Sequence, residues 1–533
     1  MSNAKQTIEA GKAILGIEFG STRIKAVLID TENNPIAQGS HEWENQLADG
    51  LWTYSIEAIW NGLQDCYAQL QKDVKAQYDT EIKSLAAIGI SAMMHGYMAF
   101  DKEQNILVPF RTWRNTNTGK AAAELSELFQ FNIPLRWSIS HVYQAILNGE
   151  EHVDKIDYLT TLAGYIHWQL TGRKVLGIGD ASGMLPIDSN TNSYDAGMVE
   201  KFDKLIEPKH LGWKILDILP QILNAGEEAG TLTEAGAKLL DPTGTLQAGI
   251  PLCPPEGDAG TGMVATNAVR PRTGNVSAGT SSFSMIVLDK ALSKPYEVID
   301  MVTTPDGKPV AMVHCNNCTS DINSWINVFK ESMELVCGPV DIHDVFYRLY
   351  NYALERGEAD CGGLVTYNTI SGEPVVGLEK GRPLFVRSPK DNFNLANFIR
   401  AHLYATVAVL KIGNDVLFHD EQVKVDRLTA HGGLFKTKGV AQRFLAAALN
   451  TPISVMETAG EGGAWGIALL AGYLVNNTGK QSLPDYLDQH VYAGNEGESI
   501  APVAEEVEGF EKYIANYKAD LPVEYAAAQI KIE

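Results

Sequence analysis

The chain has 533 residues, more than one hydrophobic core usually organises, which predicts two or three domains. Its composition, 45% hydrophobic and 20% charged, is typical of a globular protein in water. The formal net charge of −22 disfavours nucleic acid and anionic membranes as partners, because phosphate backbones are bound by clustered Lys and Arg. Any anionic ligand must therefore be held by local hydrogen-bond donors and a metal ion.

The cysteines and the N-terminus predict a reducing, cytoplasmic location. Six cysteines are scattered along the chain, and it does not open on a basic and then apolar signal segment. Cys315 and Cys318 have the C-x-x-C spacing, but one pair supplies only two zinc ligands, so we expect it to be structural or incidental. The longest apolar run, near 464–475, is shorter than the roughly 20 residues that a bilayer needs.

The first predicted element is a β-hairpin over 14–30. Its two apolar runs flank a first tip of glycine and hydroxyl residues, whose N–H and O–H groups suit anionic oxygens: Gly20, Ser21 and Thr22. The alternation of the second run places Lys25 beside this tip, with Glu18 near a cation. The chain has no Walker A string and no strand followed by G-x-G-x-x-G, and an ordinary turn is the alternative interpretation.

A helix is predicted next over 55–76, from its spacing of apolar residues. Residues 85–90 form a predicted buried strand that delivers Met94 and His95 to its carboxyl end, where α/β sheets usually bind ligands. His95 is either presented to a small ligand or a structural histidine. The loop over 110–118 mixes an aromatic ring, guanidinium and amide groups, which suits a polyhydroxylated ligand, with an exposed polar loop as the alternative.

Residues 157–172 are predicted to form a helix that ends at Gly172, and a tight turn at 179–183 follows. A strand from 248 then enters a glycine-rich turn that carries Asp258. This carboxylate is a candidate for chemistry, and the alternative is that it caps the N-terminus of a helix.

Residues 273–287 repeat the opening arrangement with a second tip: Gly279, Thr280 and Ser281. The two tips lie 279 − 20 = 259 residues apart, which suggests two duplicated domains that face each other across a cleft. The predicted limits are an N-terminal domain over 12–270, a C-terminal domain over 271–485 and an extension over 486–533.

The second half is predicted to contain a core helix near 399–410, a strand over 427–430 and a helix from 440. Gly432 and Gly433 lie between that strand and that helix and would let a flat ligand approach the backbone closely. Another helix, rich in small residues, begins near Glu461.

Taken in order, these segments resemble the FGGY family of carbohydrate kinases, in the sugar kinase/Hsp70/actin superfamily, over about 13–475. The first tip with Gly16 to Phe19 is similar to the family's first phosphate segment. Gly257 and Asp258 are similar to its catalytic turn, and the second tip to its second phosphate segment. The resemblance implies an α/β fold of two actin-like, ribonuclease H-like domains with a cleft between them.

The resemblance implies transfer of the γ-phosphoryl group of ATP to a sugar hydroxyl, with Mg²⁺ bridging phosphate oxygens. Asp258 would accept the hydroxyl proton as the catalytic base, and Glu18 and Asp258 would hold Mg²⁺. The residues implied for ATP are Gly20, Ser21, Thr22, Lys25, Gly279, Thr280, Ser281, Gly432, Gly433, Phe435, Lys436 and Glu461. The residues implied for the sugar are Met94, His95, Trp113, Asn115 and Asp258.

The segments 94–96 and 180–183 are similar to the xylulokinase-like branch, which favours a ketopentose such as D-xylulose and the product xylulose 5-phosphate. The alternatives are another ketose or polyol (ribulose, L-xylulose or a glycerol-like molecule) and a non-catalytic actin-like protein that binds nucleotide and sugar. The sequence departs from the family at Glu18, usually Asp, and at Asn115 and Asn117, which replace the acid and base of W-x-D-x-R. The implied partners are a small sugar and ATP, without nucleic acid or membrane, and a homodimer is one open possibility.

Overall fold

The computed structural model describes residues 2–456, 462–494 and 497–530. The helices are α1 Ser2–Glu9, α2 Ile56–Tyr78, α3 Gly119–Phe129, α4 Ser138–Asn148, α5 Leu162–Thr171, α6 Ile178–Ala181, α7 Ala196–Ile206, α8 Ile215–Ile218, α9 Glu234–Leu240, α10 Asp258–Ala265, α11 Ser320–Cys337, α12 Ile342–Arg356, α13 Leu395–Asp415, α14 Val440–Leu449, α15 Gly462–Asn476, α16 Leu483–His490 and α17 Ala504–Gln529. The strands are β1 Ile14–Phe19, β2 Arg23–Ile29, β3 Pro35–Glu42, β4 Gln46–Ala48, β5 Leu51–Thr53, β6 Ala87–Ala92, β7 Met98–Phe100, β8 Tyr158–Thr160, β9 Val175–Gly177, β10 Ile187–Asp188, β11 Ser193–Tyr194, β12 Gln221–Leu223, β13 Glu256–Gly257, β14 Thr273–Ala278, β15 Ser282–Val287, β16 Asp300–Thr303, β17 Pro309–Cys315, β18 Val365–Tyr367, β19 Leu384–Val386, β20 Arg427–His431, β21 Ile453–Val455 and β22 Glu498–Ile500.

Two mixed sheets with matching topology form the framework. The first has the strand order β13-β6-β1-β2-β3, with β1 antiparallel to β2 and parallel to β6. The second has the order β16-β17-β15-β14-β20-β21-β22, with β14 antiparallel to β15 and parallel to β20. Each sheet thus places a hairpin beside a parallel strand. This repetition confirms the predicted pair of hairpins and the duplicated α/β units.

Several elements begin and end near the predicted limits. The helix predicted over 55–76 is α2, and the Ser55 hydroxyl accepts the Ala58 N–H at 3.0 Å as its N-cap. The predicted strand and helices of the second half are present as β20, α13, α14 and α15. These elements are long and strongly periodic, which is why their pattern identifies them.

The helix predicted over 157–172 is only partly correct. Tyr158–Thr160 forms β8, which pairs with β7, and α5 begins after the N-cap Thr161. Gly172 does end α5, with a left-handed φ of 78°. The turn predicted over 179–183 is largely the short helix α6. A buried strand followed by a buried helix has the same continuous apolar pattern as one helix, so periodicity does not separate them here.

The helix α15 follows the second sheet in sequence but packs against the first sheet. Ala464, Ile467 and Leu470 share a buried cluster with Ile14. Its crossing with α10 is very close, because a Cβ added at Gly466 would lie 2.0 Å from the carbonyl oxygen of Thr261. This crossing holds α10 and α15 together, so that both helices begin at the same cleft.

The helix α13 continues into a π-helical turn, and residues 395–420 form the one described helix that is long and apolar enough to cross a membrane. Length and composition are the only basis for that match, and 89% of its apolar window is buried inside the protein. Ile399, Leu403 and Leu410 lie in the core beside the second sheet, as expected for the predicted core helix.

The α10–α15 crossing predicts that Gly466→Ala is destabilising. The added methyl must push the two backbones apart, and overpacking of this kind costs about 1–3 kcal/mol of the free energy of unfolding. Gly472→Ala is a matched control in α15, because its nearest neighbour, Ile14, would be 3.4 Å from the new Cβ. We expect a lower thermal midpoint for the first variant and an unchanged or higher one for the second. Equal midpoints would show that the crossing tolerates the methyl group.

Candidate active site

A cavity of about 340 Å³ lies where the two sheets and the helices α10 and α15 meet. Both halves of the chain contribute to its walls. The lining residues are Glu18, Ser21, Met94, His95, Trp113, Arg136, Asp258, Ala259, Gly262, Asn275, Ser281, Phe283, Met312, His314, His431, Gly462 and Gly463. Seven of the residues predicted for the site are therefore brought together: Glu18, Ser21, Met94, His95, Trp113, Asp258 and Ser281.

Asp258 is the first residue of α10, directly after β13. Gly257 is the N-cap, so the alternative interpretation of Asp258 as the N-cap is wrong. The Met94 backbone N–H donates to Asp258 Oδ1 at 3.0 Å. Burial raises the pKa of Asp258, while the N–H groups of Met94 and Ala259 act in the opposite direction. Asp258 is thus a fixed carboxylate with an increased affinity for a proton.

Glu18 lies at the end of β1, directly opposite Lys25 in the hairpin. The Ala464 N–H donates to Glu18 Oε2 at 3.2 Å, and a Cβ at Gly463 would lie 2.3 Å from Oε1. The side chain therefore reaches the first turn of α15. Burial and the nearby charge of Asp258 raise the pKa of Glu18 to about 7, whereas Ala464 and Lys25 act to lower it.

The carboxylates of Glu18 and Asp258 fit a hydrated divalent cation. Each is partly buried, and the charge of Asp258 disfavours ionisation of Glu18 when no cation is present. Mg²⁺ typically takes one or two carboxylates together with phosphate oxygens and water. Within the described ranges no group of three or more His, Cys, Asp and Glu side chains could hold a metal ion, so phosphate and water would have to complete the coordination.

The first tip is fixed by aromatic side chains. The Tyr54 hydroxyl donates to the carbonyl oxygen of Ser21 at 2.5 Å, and the Trp113 Nε1–H donates to Ser21 Oγ at 3.1 Å. The Trp43 Nε1–H donates to the Gly20 carbonyl oxygen at 2.7 Å. Of the three residues of the first tip, Ser21 lines the cavity, whereas Gly20 and the exposed Thr22 do not.

The second tip is fixed by the start of α11. Thr319 donates from its N–H and its hydroxyl to the Gly279 carbonyl oxygen, at 3.1 and 2.8 Å. The Cys318 N–H donates to the Thr280 carbonyl oxygen at 2.9 Å. Of this tip, Ser281 lines the cavity. Cys318 of the C-x-x-C pair is thus part of the segment that supports the tip, and the thiols of Cys315 and Cys318 are both buried and free.

His95 has a left-handed backbone, with a φ of 71°, which is uncommon for a residue other than glycine. Its ring stacks on Trp137 with centroids 6.3 Å apart, and its Nδ1 lies 3.4 Å from the Gly183 carbonyl oxygen. Burial lowers its pKa well below the usual range, so the ring is neutral. Met94, His95 and Trp113 all line the cavity.

Asn115 does not line the cavity. Its Oδ1 accepts the Trp52 N–H at 2.9 Å, and its Nδ2 donates to the carbonyl oxygens of Trp52 and Thr112 at 2.8 and 3.0 Å. The residue is only 4% exposed. These bonds join the loop to β5, so the amide that the sequence suggested for a sugar stabilises the loop beside Trp113 instead.

The segment predicted for adenosine follows β20. Gly432 and Gly433 are exposed beside the cleft, and the 3₁₀ turn Gly433–Lys436 comes next. The Phe435 ring is buried in the core of the second half, and Lys436 is exposed. The Phe435 ring therefore anchors this turn to the hydrophobic core of the second half and does not face the solvent. Glu461 lies outside the described residues.

Sequence reasoning missed several lining residues, above all those on the second sheet. Phe283 and His314 are direct cross-strand partners of β15 and β17, so they share one face. Arg136 forms an ion pair with Asp300 of β16 and thereby connects the two halves. Trp113, Arg136 and His314 also line an adjoining cleft of about 940 Å³. Because side chains alternate between the two faces of a strand, Met312 and His314 of β17 are predicted to lie on the same face. The sequence does not predict that this face lines the cavity.

The family models for the N-terminal and C-terminal domains of the FGGY family of carbohydrate kinases match residues 13–264 and 274–475. The chain belongs to the FGGY family of carbohydrate kinases. The resemblance predicted from the tips and from Asp258 is thus confirmed, and FGGY membership makes the protein an ATP-dependent sugar kinase.

The curated relatives are distant. A xylulose kinase of Haemophilus influenzae is 21% identical over 469 residues, which cover 84% of this chain and 89% of that protein. A xylulose kinase of Escherichia coli K12 is 22% identical over 297 residues, and the match spans only 56% of its length. Sequence identities this low do not show that this protein acts on the same substrate as its relatives.

Solved FGGY structures share the fold. A xylulose kinase of Lactobacillus acidophilus aligns over 97% of this chain and 99% of its own, with a TM-score of 0.79 and 17% identity. The Plasmodium falciparum glycerol kinase aligns over 98% and 99%, with a TM-score of 0.75 and 17% identity. The predicted sugar kinase and actin-like fold of two α/β domains is therefore confirmed.

The titration of Glu18 generates a prediction about stability. Its pKa is near 7 in the fold and 4.5 in the unfolded reference, so the folded protein binds this proton more tightly. Ionisation of Glu18 therefore destabilises the ligand-free protein as the pH rises from 4.5 towards 7, with the full penalty above 7. We expect Glu18→Gln to raise the thermal midpoint at pH 8 and to have much less effect at pH 5.

Circular dichroism melts at the two pH values measure this difference. Glu103→Gln, at an exposed surface position, is the control and should change the midpoint equally little at both. An effect of Glu18→Gln that is the same at pH 5 and pH 8 would contradict an elevated pKa.

Proposed function

We propose that the protein phosphorylates a ketopentose such as D-xylulose with ATP, giving xylulose 5-phosphate. The observation that carries the proposal is the Asp258 carboxylate in one cavity with Glu18, Ser21 and Ser281, together with the neutral imidazole of His95. The relatives named xylulose kinase support the choice of sugar. Another ketose or a polyol is the alternative, in keeping with the matches to glycerol kinases.

Asp258 is the proposed catalytic base. The sugar hydroxyl oxygen would bond to the γ-phosphorus of ATP, the bond from that phosphorus to the bridging oxygen of ADP would break, and the hydroxyl proton would pass to Asp258. Burial raises the pKa of Asp258 in the ligand-free protein, which is the direction that a general base requires. The Met94 N–H at 3.0 Å holds the carboxylate in place while the sugar binds.

The two tips and Lys25 are proposed to bind the phosphates of ATP. Backbone N–H and hydroxyl groups of Gly20, Ser21 and Thr22 would donate from one side, and those of Gly279, Thr280 and Ser281 from the other. Gly432, Gly433 and Lys436 would border the adenosine, with Phe435 beneath them. Mg²⁺, held by Glu18 and Asp258, would neutralise developing charge on the phosphate oxygens.

Met94, His95 and Trp113 are proposed to bind the sugar. The neutral imidazole of His95 can donate one hydrogen bond and accept another, which suits a hydroxyl group. The indole of Trp113 offers an apolar face to the carbon skeleton. Asn115 would act only through the loop that carries Trp113. A cytoplasmic location remains part of the proposal, supported by six free cysteines of which five are buried.

Asp258→Asn should abolish turnover while ATP and the sugar still bind. An amide cannot accept the hydroxyl proton, and loss of a general base typically costs roughly 10²–10⁴-fold in rate. Coupled measurement of ADP release gives kcat, and calorimetric titration gives the two affinities. Asp154→Asn, at an exposed position, is the control with unchanged kcat. A kcat for Asp258→Asn close to that of the wild type would remove Asp258 as the base.

A panel of D-xylulose, L-xylulose, D-ribulose, L-ribulose and glycerol should separate the substrate alternatives. We expect the highest kcat/KM for a ketopentose, with ADP release matched by a sugar phosphate in the mass spectrum. A preference for glycerol or another polyol would overturn the choice of sugar. ATP binding without phosphoryl transfer to any of these molecules would favour a nucleotide-dependent binding protein.

A further inference from the structure

His431 lies at the C-terminal end of β20, at the junction of the two segments proposed to hold ATP. In the parallel pair with β14, its register partner is Ser277, two residues before the second tip. The carboxyl ends of parallel strands meet at one edge of a sheet, so His431 and the second tip share that edge. The next residues along the chain are Gly432 and Gly433. Gly432 lies against the backbone of Ala278, directly before the second tip, so a ligand that contacts both segments lies close to His431.

The side chain of His431 belongs to the cavity wall. It lines the cavity together with Ser281 of the second tip, Glu18 and the first residues of α15, Gly462 and Gly463. Of these residues, Ser281 is proposed to face phosphate and Glu18 to hold Mg²⁺. His431 therefore adds an imidazole to the wall that Ser281 and Glu18 share.

The imidazole of His431 is neutral and incompletely bonded. Its Nε2 is buried and lacks a hydrogen-bond partner within the part of the chain that the structure describes. Burial lowers its pKa to about 4, so the ring carries one N–H donor and no charge at neutral pH. Buried polar atoms are nearly always paired, and an unpaired one is explained when a ligand supplies the partner.

We propose that His431 binds an oxygen of the β-phosphate of ATP through its imidazole N–H, as a neutral donor between the second tip and the adenosine segment. The inference rests on the proposed ATP site and adds a contact to it. A neutral imidazole can donate a hydrogen bond to a phosphate oxygen without adding a charge to the cavity. AMP lacks the β-phosphate, so the contribution of His431 should be present for ADP and ATP and absent for AMP.

The test is calorimetric titration of AMP, ADP and ATP, each with Mg²⁺ and without sugar. For His431→Leu we expect AMP affinity within about twofold of the wild type and ATP or ADP affinity lower by roughly tenfold, the usual effect of one hydrogen bond to a charged group. His431→Gln should restore most of the loss, because the amide Nε2 can donate from nearly the same place. Equal losses for AMP and ATP, or no loss, would overturn the proposal.

His314→Leu is the matched control. It removes another neutral, buried histidine of the same cavity, from the end that opens into the larger cleft near Arg136. We expect its nucleotide affinities to stay within about twofold of the wild type. A phosphate-dependent loss as large as that of His431→Leu would show that the effect is not specific to His431.

A measurement on the wild type covers the case in which His431→Leu does not fold. In protein labelled with ¹⁵N-histidine and assigned with His431→Gln, ATP should shift the His431 ring nitrogens and AMP should not. The absence of an ATP-specific shift would refute the contact. These readouts need no sugar and no turnover, so a failure of the sugar panel would overturn the proposed function and leave the binding result intact.

Discussion

The packing of α15 against α10 and β1 is the contact on which the site depends. Thr261 of α10 contributes twice, because its backbone meets Gly466 and its hydroxyl lies 3.0 Å from the Ser91 hydroxyl on β6. These contacts fix where both helices begin. As a result, Asp258 at the start of α10 and Glu18 beside the start of α15 influence each other, although 240 residues separate them in sequence (258 − 18 = 240).

The packing gathers four carboxyl groups, those of Glu18, Asp180, Glu256 and Asp258, whose burial disfavours their charged forms. Burial raises the pKa of Asp180 to about 7 and the pKa of Glu256 to about 8. The N–H groups of Gly179 and Asp180 donate to the Glu256 carboxylate at 3.2 and 2.8 Å. Burying carboxylates costs free energy unless donors or cations compensate. Backbone N–H groups compensate Glu256, and the Thr161 hydroxyl donates to Asp180 at 2.6 Å. Glu18 and Asp258 line the cavity instead, where a bound cation would compensate them.

The sequence predicted the parts of this arrangement that local patterns encode. The periodicity of apolar residues identifies α2 and the strands of both hairpins. Glycine and hydroxyl residues close together in sequence identify the two tips, and the glycine-rich turn identifies the position of Asp258. The residues it missed, such as Arg136 and His314, reach the cavity only through the meeting of two sheets. Asn115 shows that a suitable residue type does not by itself predict a contact with ligand. Its amide group could bind a sugar hydroxyl, but in the fold it bonds to Trp52 and Thr112 and holds the loop.

Glu18 illustrates how a departure from the family pattern is compensated within one site. An aspartate at this position would end one carbon–carbon bond earlier, about 1.5 Å, and would lose its reach to the Ala464 N–H, now at 3.2 Å. The longer side chain is accommodated only because residue 463 is glycine, whose absent Cβ leaves room for Oε1. The extra methylene of Glu18 and the absence of a side chain at Gly463 therefore depend on each other. Together they place the Glu18 carboxylate against the first turn of α15, where it still lines the cavity.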